Sequence, residues 1–282
     1  MKLSSKMILI LIIGMNLFPL HASEKLADFY KEIDKAIFEK NLTSLLQLLS
    51  KLDSCEEIKF GNGFGPVDKN TLQVSLIGVI EKTFGSNEKI AIQENVKAQN
   101  NVKVEEWLTL ITLSADDNKA ILKLLQSDKV AVKYLGILKA RYSSNNPEII
   151  KELENIAEKD PYIVIAGGKK ETKIKTNNLP NNGIVDASES VFIAPLREEA
   201  KRVLNIMGKD FHIDQDKITI DGIIMLVKLY KNASPILKEE ILEAVSLFSP
   251  GSRAYNMLLK NDISNEYIET IKLFRSKLLR KI

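Results

Sequence analysis

Few residues of this chain are of the types that act together as a catalytic nucleophile and its base. The 282 residues include one cysteine, Cys55, and two histidines, His21 and His212. A Ser-His-Asp or Cys-His site needs a histidine that activates the nucleophile. His21 lies in a segment that we predict to be removed on export, so His212 is the single histidine left for that role. We therefore predict that the protein is not an enzyme, needs no cofactor and does not act on a small-molecule substrate.

The segment HIDQDKITID is the part of the sequence that is most similar to a metal-binding loop. The aspartates in and just before it are Asp210, Asp214, Asp216 and Asp221. A calcium loop of the EF-hand type also needs a glycine at its sixth position and a closing glutamate, and both are missing. We therefore predict no metal site, and we expect Ile218 and Ile220 to attach residues 209–219 to the core as a loop.

Two further short motifs have the spacing of functional motifs but lack their context. GNGFGP, at residues 61–66, resembles half of a dinucleotide-binding fingerprint, which requires a preceding strand and a following helix in a βαβ unit. Ser86 and Lys89 have Ser-x-x-Lys spacing without the partner motifs of that enzyme class. We interpret the first as a turn and the second as a chance match.

Residues 1–22 have the layout of a secretory signal peptide. Two lysines precede an apolar run from Met7 to Leu20, and the small residues Ala22 and Ser23 follow. The run is about fourteen residues, shorter than the roughly twenty that a membrane-spanning helix needs. We predict an exported chain without a transmembrane segment in its mature form, and an uncleaved membrane anchor is the alternative. The periplasm is the expected location, with secretion or surface display as alternatives.

The composition of the mature chain excludes some partners. The full chain has 40 basic and 37 acidic residues, and removal of the signal peptide takes away two of the lysines. Nucleic-acid binding needs a clustered basic face, and this near balance gives no support for one. Since Cys55 has no second cysteine with which to form an intramolecular disulfide, the exported protein must be stabilised by its core alone.

Helical periodicity dominates the mature chain, and from residue 118 it becomes a repeat. Helix–turn–helix units are centred on turns that contain Asp128, Asp160, Asn232 and Asp262. A period near thirty residues with two helices per unit is typical of a helical solenoid, in which neighbouring units stack to share a core. We expect Asp160 to cap the second helix of its unit and Pro161 to be the first residue of that helix.

These units resemble the HEAT-like repeats named after phycobilisome lyases. Residues of one unit match the pattern of that family in order, namely Asp160, Pro161, Val164, Arg197, Ala200, Leu204 and Gly208. Asp128, Val130, Lys133 and Gly136 give a looser match, and the two C-terminal units keep only the period. The resemblance implies an adaptor or scaffold role and brings no catalytic residues with it.

These observations predict an all-α protein in three parts. They are the signal peptide (1–22), an N-terminal helical region (23–117) and a right-handed helical-hairpin solenoid of HEAT-like repeats (118–282). One repeat is interrupted at about residues 165–196 by a non-helical, β-hairpin-like insertion. A non-repetitive helical bundle is the alternative fold.

The insertion is the predicted partner-binding element, because insertions in repeat proteins often lie on the binding face. NNLPNNG predicts its turn, a basic arm precedes that turn and an acidic arm follows it. The residues we assign to partner binding are Lys169, Lys170, Lys173, Lys175, Asp186 and Glu189. Pairing of the two arms with each other, without any partner, is the alternative.

The sequence thus predicts a non-catalytic protein-binding or scaffold module of the bacterial cell envelope. Its partner is expected to be another protein or an envelope component, bound by the solenoid surface and the insertion. Two alternatives stay open. One is a carboxylate-dependent hydrolase acting on envelope material, which needs facing acidic side chains in a concave pocket. The other is a purely structural envelope protein.

Overall fold

The computed structural model describes residues 24–54, 69–97, 101–143, 146–165, 192–246, 248, 251–260 and 263–279. The signal segment, Cys55, the GNGFGP turn and Asp262 lie outside these residues, as do all six predicted partner-binding residues of the insertion. Helices make up nearly all of the described secondary structure, as an all-α protein requires. No helix in the described ranges combines the length and apolar character needed to span a membrane.

The described residues form a succession of helices and two short strands. In chain order they are α1 (Glu24–Phe38), α2 (Leu42–Ser54), α3 (Lys69–Thr83), α4 (Ser86–Ala91), α5 (Gln93–Lys97), α6 (Val102–Thr112), α7 (Asn118–Leu125), α8 (Val130–Ala140), α9 (Pro147–Lys159), α10 (Pro195–Ile206), α11 (Gln215–Asn232), α12 (Pro235–Ser246), α13 (Arg253–Leu259) and α14 (Ile268–Leu279). A 3-10 turn at Asn265–Tyr267 leads into α14. The two strands are β1 (Val164–Ile165) and β2 (Phe192–Ile193).

Local sequence explains where many helices begin. Asp117 accepts a hydrogen bond from the Ala120 amide at 2.9 Å and so caps α7. Asn146 accepts from the amides of Glu148 and Ile149, and Pro147 occupies the first turn of α9, where it displaces no hydrogen bond. The starts of α7 and α9 are therefore stabilised by side chains within three residues of them.

A polar contact joins three helices of the N-terminal region. The Trp107 indole Nε1 donates to Asp53 Oδ2 at 2.7 Å, and Gln73 Nε2 donates to Asp53 Oδ1 at 2.8 Å. These residues lie on α6, α2 and α3, whose leucines and isoleucines form one buried cluster. Because both carboxylate oxygens are occupied, Asp53 fixes the relative positions of three helices at the edge of this core.

The remaining helices form four pairs: α7–α8, α9–α10, α11–α12 and α13–α14. The first two pairs stack directly, with α7 on α9 and α8 on α10, and the last two do so in the same way, with α11 on α13 and α12 on α14. This arrangement buries a cluster between the first two pairs and another between the last two. Direct stacking therefore joins the first helix pair to the second and the third to the fourth.

The base of the insertion is a pair of short antiparallel strands placed between the second and third helix pairs. Val164 pairs with Ile193 and Ile165 with Phe192. The second and third helix pairs meet mainly through β2, which contacts α11, instead of through direct helix-on-helix packing. The strand pair therefore acts as a wedge between two stacks of helices.

Phe192 attaches this wedge to the third pair. Its side chain is 1% exposed, and its ring lies edge-to-face with that of Phe248 at a centroid distance of 5.8 Å. A Cβ atom added to Gly222 of α11 would lie 2.3 Å from Phe192 Cδ1. The absence of a side chain at Gly222 thus allows the ring to lie directly on the helix backbone.

Two local expectations were wrong. Asp160 does not cap the second helix of its unit and Pro161 does not begin it, because the wedge separates both from α10, which starts at Pro195 after Ala194. Residues 215–219 are not part of a loop either. Asp214 accepts hydrogen bonds from the amides of Asp216 and Lys217 and caps a helix that already begins at Gln215.

Candidate binding groove

A chain of paired charges connects the first three helix pairs. Lys133 Nζ lies 2.8 Å from Asp160 Oδ2, Arg197 Nε donates to the Asp160 carbonyl oxygen at 2.7 Å, and Arg197 Nη2 donates to Asp221 Oδ2 at 2.8 Å. Asp160 and Arg197 are buried, at 5% and 3% exposure. A buried charge is tolerated only when it is paired, so these contacts fix the positions of the helix pairs relative to one another.

Asp160 has a second role that explains its position after α9. Its Oδ1 accepts a hydrogen bond from the Tyr162 amide at 3.0 Å. The Tyr162 hydroxyl in turn lies 2.8 Å from Thr71 Oγ1 of α3. The carboxylate therefore directs the chain from α9 into β1, whereas the expected role was to cap a following helix.

A groove opens where the wedge separates the second and third helix pairs. Its volume is about 550 Å³, and Arg197 and Asp221 are among its lining residues. Pro161 and Ile163, which precede β1, line it together with one face of α11. The remaining lining residues are Lys159, Ile224, Met225, Lys228, Leu229, Asn232, Ala233 and Leu237.

The α11 side of this groove has helical spacing. The lining residues of α11 are Asp221, Ile224, Met225, Lys228, Leu229 and Asn232. Residues three and four apart lie on one face of a helix, so they form a single stripe. The residues that α11 buries in the core, among them Ile223, Leu226 and Val227, lie on another face. Thus α11 has two apolar faces, and one of them lines the groove.

The groove is apolar and open to solvent. Leu229 is 47% exposed, and Ile224 and Met225 are partly exposed. Asp221 is the one carboxylate among the lining residues, and Arg197 neutralises it. The basic residues Lys159 and Lys228 are exposed. The arrangement therefore presents apolar side chains flanked by positive charge, which is suited to binding and supplies no acid–base pair.

A separate cleft of about 340 Å³ between α1 and α2 is lined by two glutamates, Glu32 and Glu39. Glu32 pairs with Lys51 at 3.1 Å and Glu39 with Lys35 at 4.0 Å, and all four side chains are largely exposed. Glu32 lies on α1 and Glu39 directly follows the last residue of that helix, and solvent screens their charges. This cleft does not hold the two facing carboxylates that a glycosidase-type site needs.

The aspartates around His212 do not converge. The His212 side chain is 84% exposed, with Nε2 3.6 Å from Asp210 Oδ1. Asp216 pairs with Arg253 at 3.1 Å, and Asp221 pairs with Arg197. Within the described residues no group of three or more His, Cys, Asp or Glu side chains is arranged to hold a metal ion.

Two buried lysines of the N-terminal half also have structural partners. Lys89, of the Ser-x-x-Lys match, lies 2.9 Å from Glu81. Lys139 donates to the carbonyl oxygens of Ile111 and Leu113 at 2.7 and 3.0 Å, and thereby satisfies the C-terminal end of α6. Burial lowers the pKa of Lys139, and the Glu81 carboxylate opposes that shift. Both ammonium groups are occupied by groups of the fold itself.

The groove residues were missed by the sequence predictions, although a signal was present. The run IIMLVKLY, residues 223–230, is apolar around most of the helix circumference. Such a helix has more apolar surface than a single core contact covers, which is a sign of a second contact. Comparison with protein-family models, with curated proteins and with solved structures finds no match for this chain.

Proposed function

We propose that this protein is a non-catalytic binding module of the bacterial cell envelope, exported by its N-terminal segment and built as a right-handed solenoid of HEAT-like helix pairs. Its partner is another protein or an envelope component, bound in the groove between the second and third helix pairs. The observation that carries this proposal is the apolar stripe of α11 that lines the groove, in which Leu229 is exposed and Ile224 and Met225 are partly exposed.

Two features of the fold support a binding role. Contiguous apolar patches larger than a few hundred Å² are rare on monomeric proteins and often mark interaction sites or ligand-binding grooves. The stripe lies on an α11 that is capped by Asp214 and held by Phe192 and by the Arg197–Asp221 pair, so it is a rigid surface. A rigid apolar surface binds with little loss of conformational entropy.

Photo-crosslinking tests this proposal. A photoreactive amino acid is placed at Leu229 in the processed chain, which is then irradiated in envelope extract of the source organism. The matched control carries it at Leu273 of α14, an apolar residue that is also partly exposed, at 38%. We expect a discrete adduct from position 229 alone, and we expect Leu229→Asp to abolish capture by the otherwise native chain. Equal labelling from both positions, or none from either, would contradict the proposal.

The predicted partner-binding residues of the insertion stay a prediction, and the strand register allows a clean test of them. Since Ile165 and Phe192 are paired across the two strands, a two-residue Asn-Gly turn can replace residues 166–191 and join them as a hairpin. A deletion that also removed Phe192 would disrupt the core. If the insertion binds the partner, this shortened chain loses capture while its helical circular dichroism and its melting temperature are retained. Unchanged capture would show that the insertion is dispensable.

A further inference from the structure

The face of α11 that lines the groove differs from the corresponding faces elsewhere in the stack. First helices of neighbouring pairs pack on each other, α7 on α9 and α11 on α13. Between α9 and α11 the strand pair intervenes, and the stripe containing Ile224, Met225 and Leu229 lines open space. Stripes with this spacing form ridges, and the ridges of another helix pack into the grooves beside them.

The shape of the groove indicates the size of the ligand that it would bind. Small ligands bind in concave sites that enclose most of their surface. Here Leu229 is 47% exposed and Pro161 on the opposite side is also exposed, so the groove would cover only one side of a bound molecule. A one-sided apolar groove of this kind suits the apolar face of an amphipathic helix. Met225 adds a side chain that adapts to different partner residues.

The charges around the groove indicate the charge of the ligand that it would bind. The Arg197–Asp221 pair is neutral as a unit, with the Arg197 side chain 4% exposed. Lys159 contributes positive charge from the end of α9, beside Pro161, and its contact with Glu158 is long, at 3.9 Å, and exposed. Lys228 contributes a second charge from α11 and makes no ion pair within the described part of the chain. The net charge of the lining residues is therefore positive, with one lysine on each wall.

We propose that the groove binds an acidic amphipathic helix of a partner protein. Its apolar side chains contact Ile224, Met225 and Leu229, and its Asp and Glu residues lie beside Lys159 and Lys228. This inference rests on the proposed function and adds the chemistry of the partner. Charge complementarity of this kind gives specificity for acidic over basic helices.

The test uses two fluorescent peptides that are stapled to be helical and share one leucine face. They are about 18 residues long, so that a helix of several turns forms. One has glutamate at every polar position, and the other has lysine at those positions. Binding to the processed chain is measured by fluorescence anisotropy at low and at physiological salt. The charge-reversal variant is Lys159→Glu with Lys228→Glu, and the matched control is Lys123→Glu with Lys209→Glu, which changes two exposed lysines outside the groove.

We expect the acidic peptide to bind more tightly than the basic one, and the Lys159→Glu, Lys228→Glu variant to reverse that order. Each reversed rim charge changes the affinity by roughly three- to tenfold at low salt, and the control pair leaves the order unchanged. We expect Leu229→Asp to weaken the binding of both peptides. Equal binding of the two peptides to the native chain, or an order that the groove reversal does not alter, would overturn the inference.

Two outcomes separate this inference from the proposed function. If neither peptide binds but the photoreactive Leu229 chain still captures an envelope component, the acidic-helix inference is wrong and the proposed function stands. Vesicles of phosphatidylglycerol and phosphatidylcholine are tested in parallel. Binding to these vesicles that Leu229→Asp abolishes, without peptide binding, would assign the groove to anionic lipid and so overturn the choice of a protein helix.

Discussion

The contact between Phe192 and Gly222 makes a prediction that can be tested by thermodynamics alone. An alanine at Gly222 would place its Cβ 2.3 Å from Phe192 Cδ1, 2.5 Å from Cγ and 2.8 Å from Cε1. These distances are shorter than any normal carbon–carbon contact, so the ring and β2 must move. Overpacking of this kind destabilises a protein by about 1–3 kcal/mol. For a chain of this length, each kcal/mol lowers the melting temperature by roughly 2–4 °C.

Replacing glycine by alanine should instead raise the stability of the protein where the helix has room for the added Cβ atom. Gly78 lies inside α3, and a Cβ there would meet Tyr134 Oη at 3.5 Å, an ordinary contact. Glycine in a helix interior is about 1 kcal/mol less favourable than alanine. We therefore expect Gly78→Ala to raise the melting temperature and Gly222→Ala to lower it.

A double-mutant cycle identifies the cause. Phe192→Ala alone should cost about 3–5 kcal/mol, because it leaves a cavity in the core. In that background the clash is gone, so Gly222→Ala should stabilise the chain by up to about 1 kcal/mol. The four proteins of the cycle are compared by thermal and urea unfolding followed by circular dichroism. If Gly222→Ala destabilises equally in both backgrounds, the ring of Phe192 does not lie on α11 and the wedge interpretation is wrong.

Three further predictions concern other contacts. Lys133→Met leaves the buried Asp160 carboxylate without its ion-pair partner and should lower the free energy of unfolding in urea by about 3–5 kcal/mol. The control Lys51→Met breaks the exposed pair with Glu32 and should cost at most about 1 kcal/mol. Equal losses would refute the role of burial. Trp107→Phe removes the hydrogen bond to Asp53 and should cost about 1.5–3 kcal/mol by the same measurement, and an unchanged urea midpoint would contradict this. Burial, with a smaller contribution from the Glu199 carboxylate, raises the pKa of Tyr134 from 10.0 to about 12. As the pH rises, the unfolded chain loses this proton before the folded protein does. The contribution of this group to the free energy of unfolding is therefore complete below pH 10 and is lost as the pH rises toward 12, by roughly 1.4 kcal/mol for each unit of pKa difference. Tyr134→Phe should make that alkaline loss smaller, and an identical pH profile would refute the assignment.

Local sequence determined most of the secondary structure. The 3.6-residue periodicity and the capping residues Asp117 and Asn146 act within one or two turns, so they predict helices wherever those helices lie in the fold. The error at Asp214 was of the same local kind, because an N-cap aspartate was interpreted as part of a loop. Repetition of the helix pairs predicted that neighbouring pairs would stack, which holds for the first pair on the second and for the third on the fourth but not for the second on the third.

The groove was decided by tertiary structure. Its existence depends on Phe192 reaching Gly222, thirty positions later in the chain, and on Arg197 bridging Asp160 and Asp221. No short-range pattern encodes such contacts, since each depends on where separate helices come together. The sequence by itself therefore determined which segments are helical and that an insertion interrupts one pair. Only the tertiary structure decided that the base of this insertion separates two stacks of helices. Because its strands occupy the space that a direct helix–helix contact would otherwise fill, an apolar face of α11 stays open.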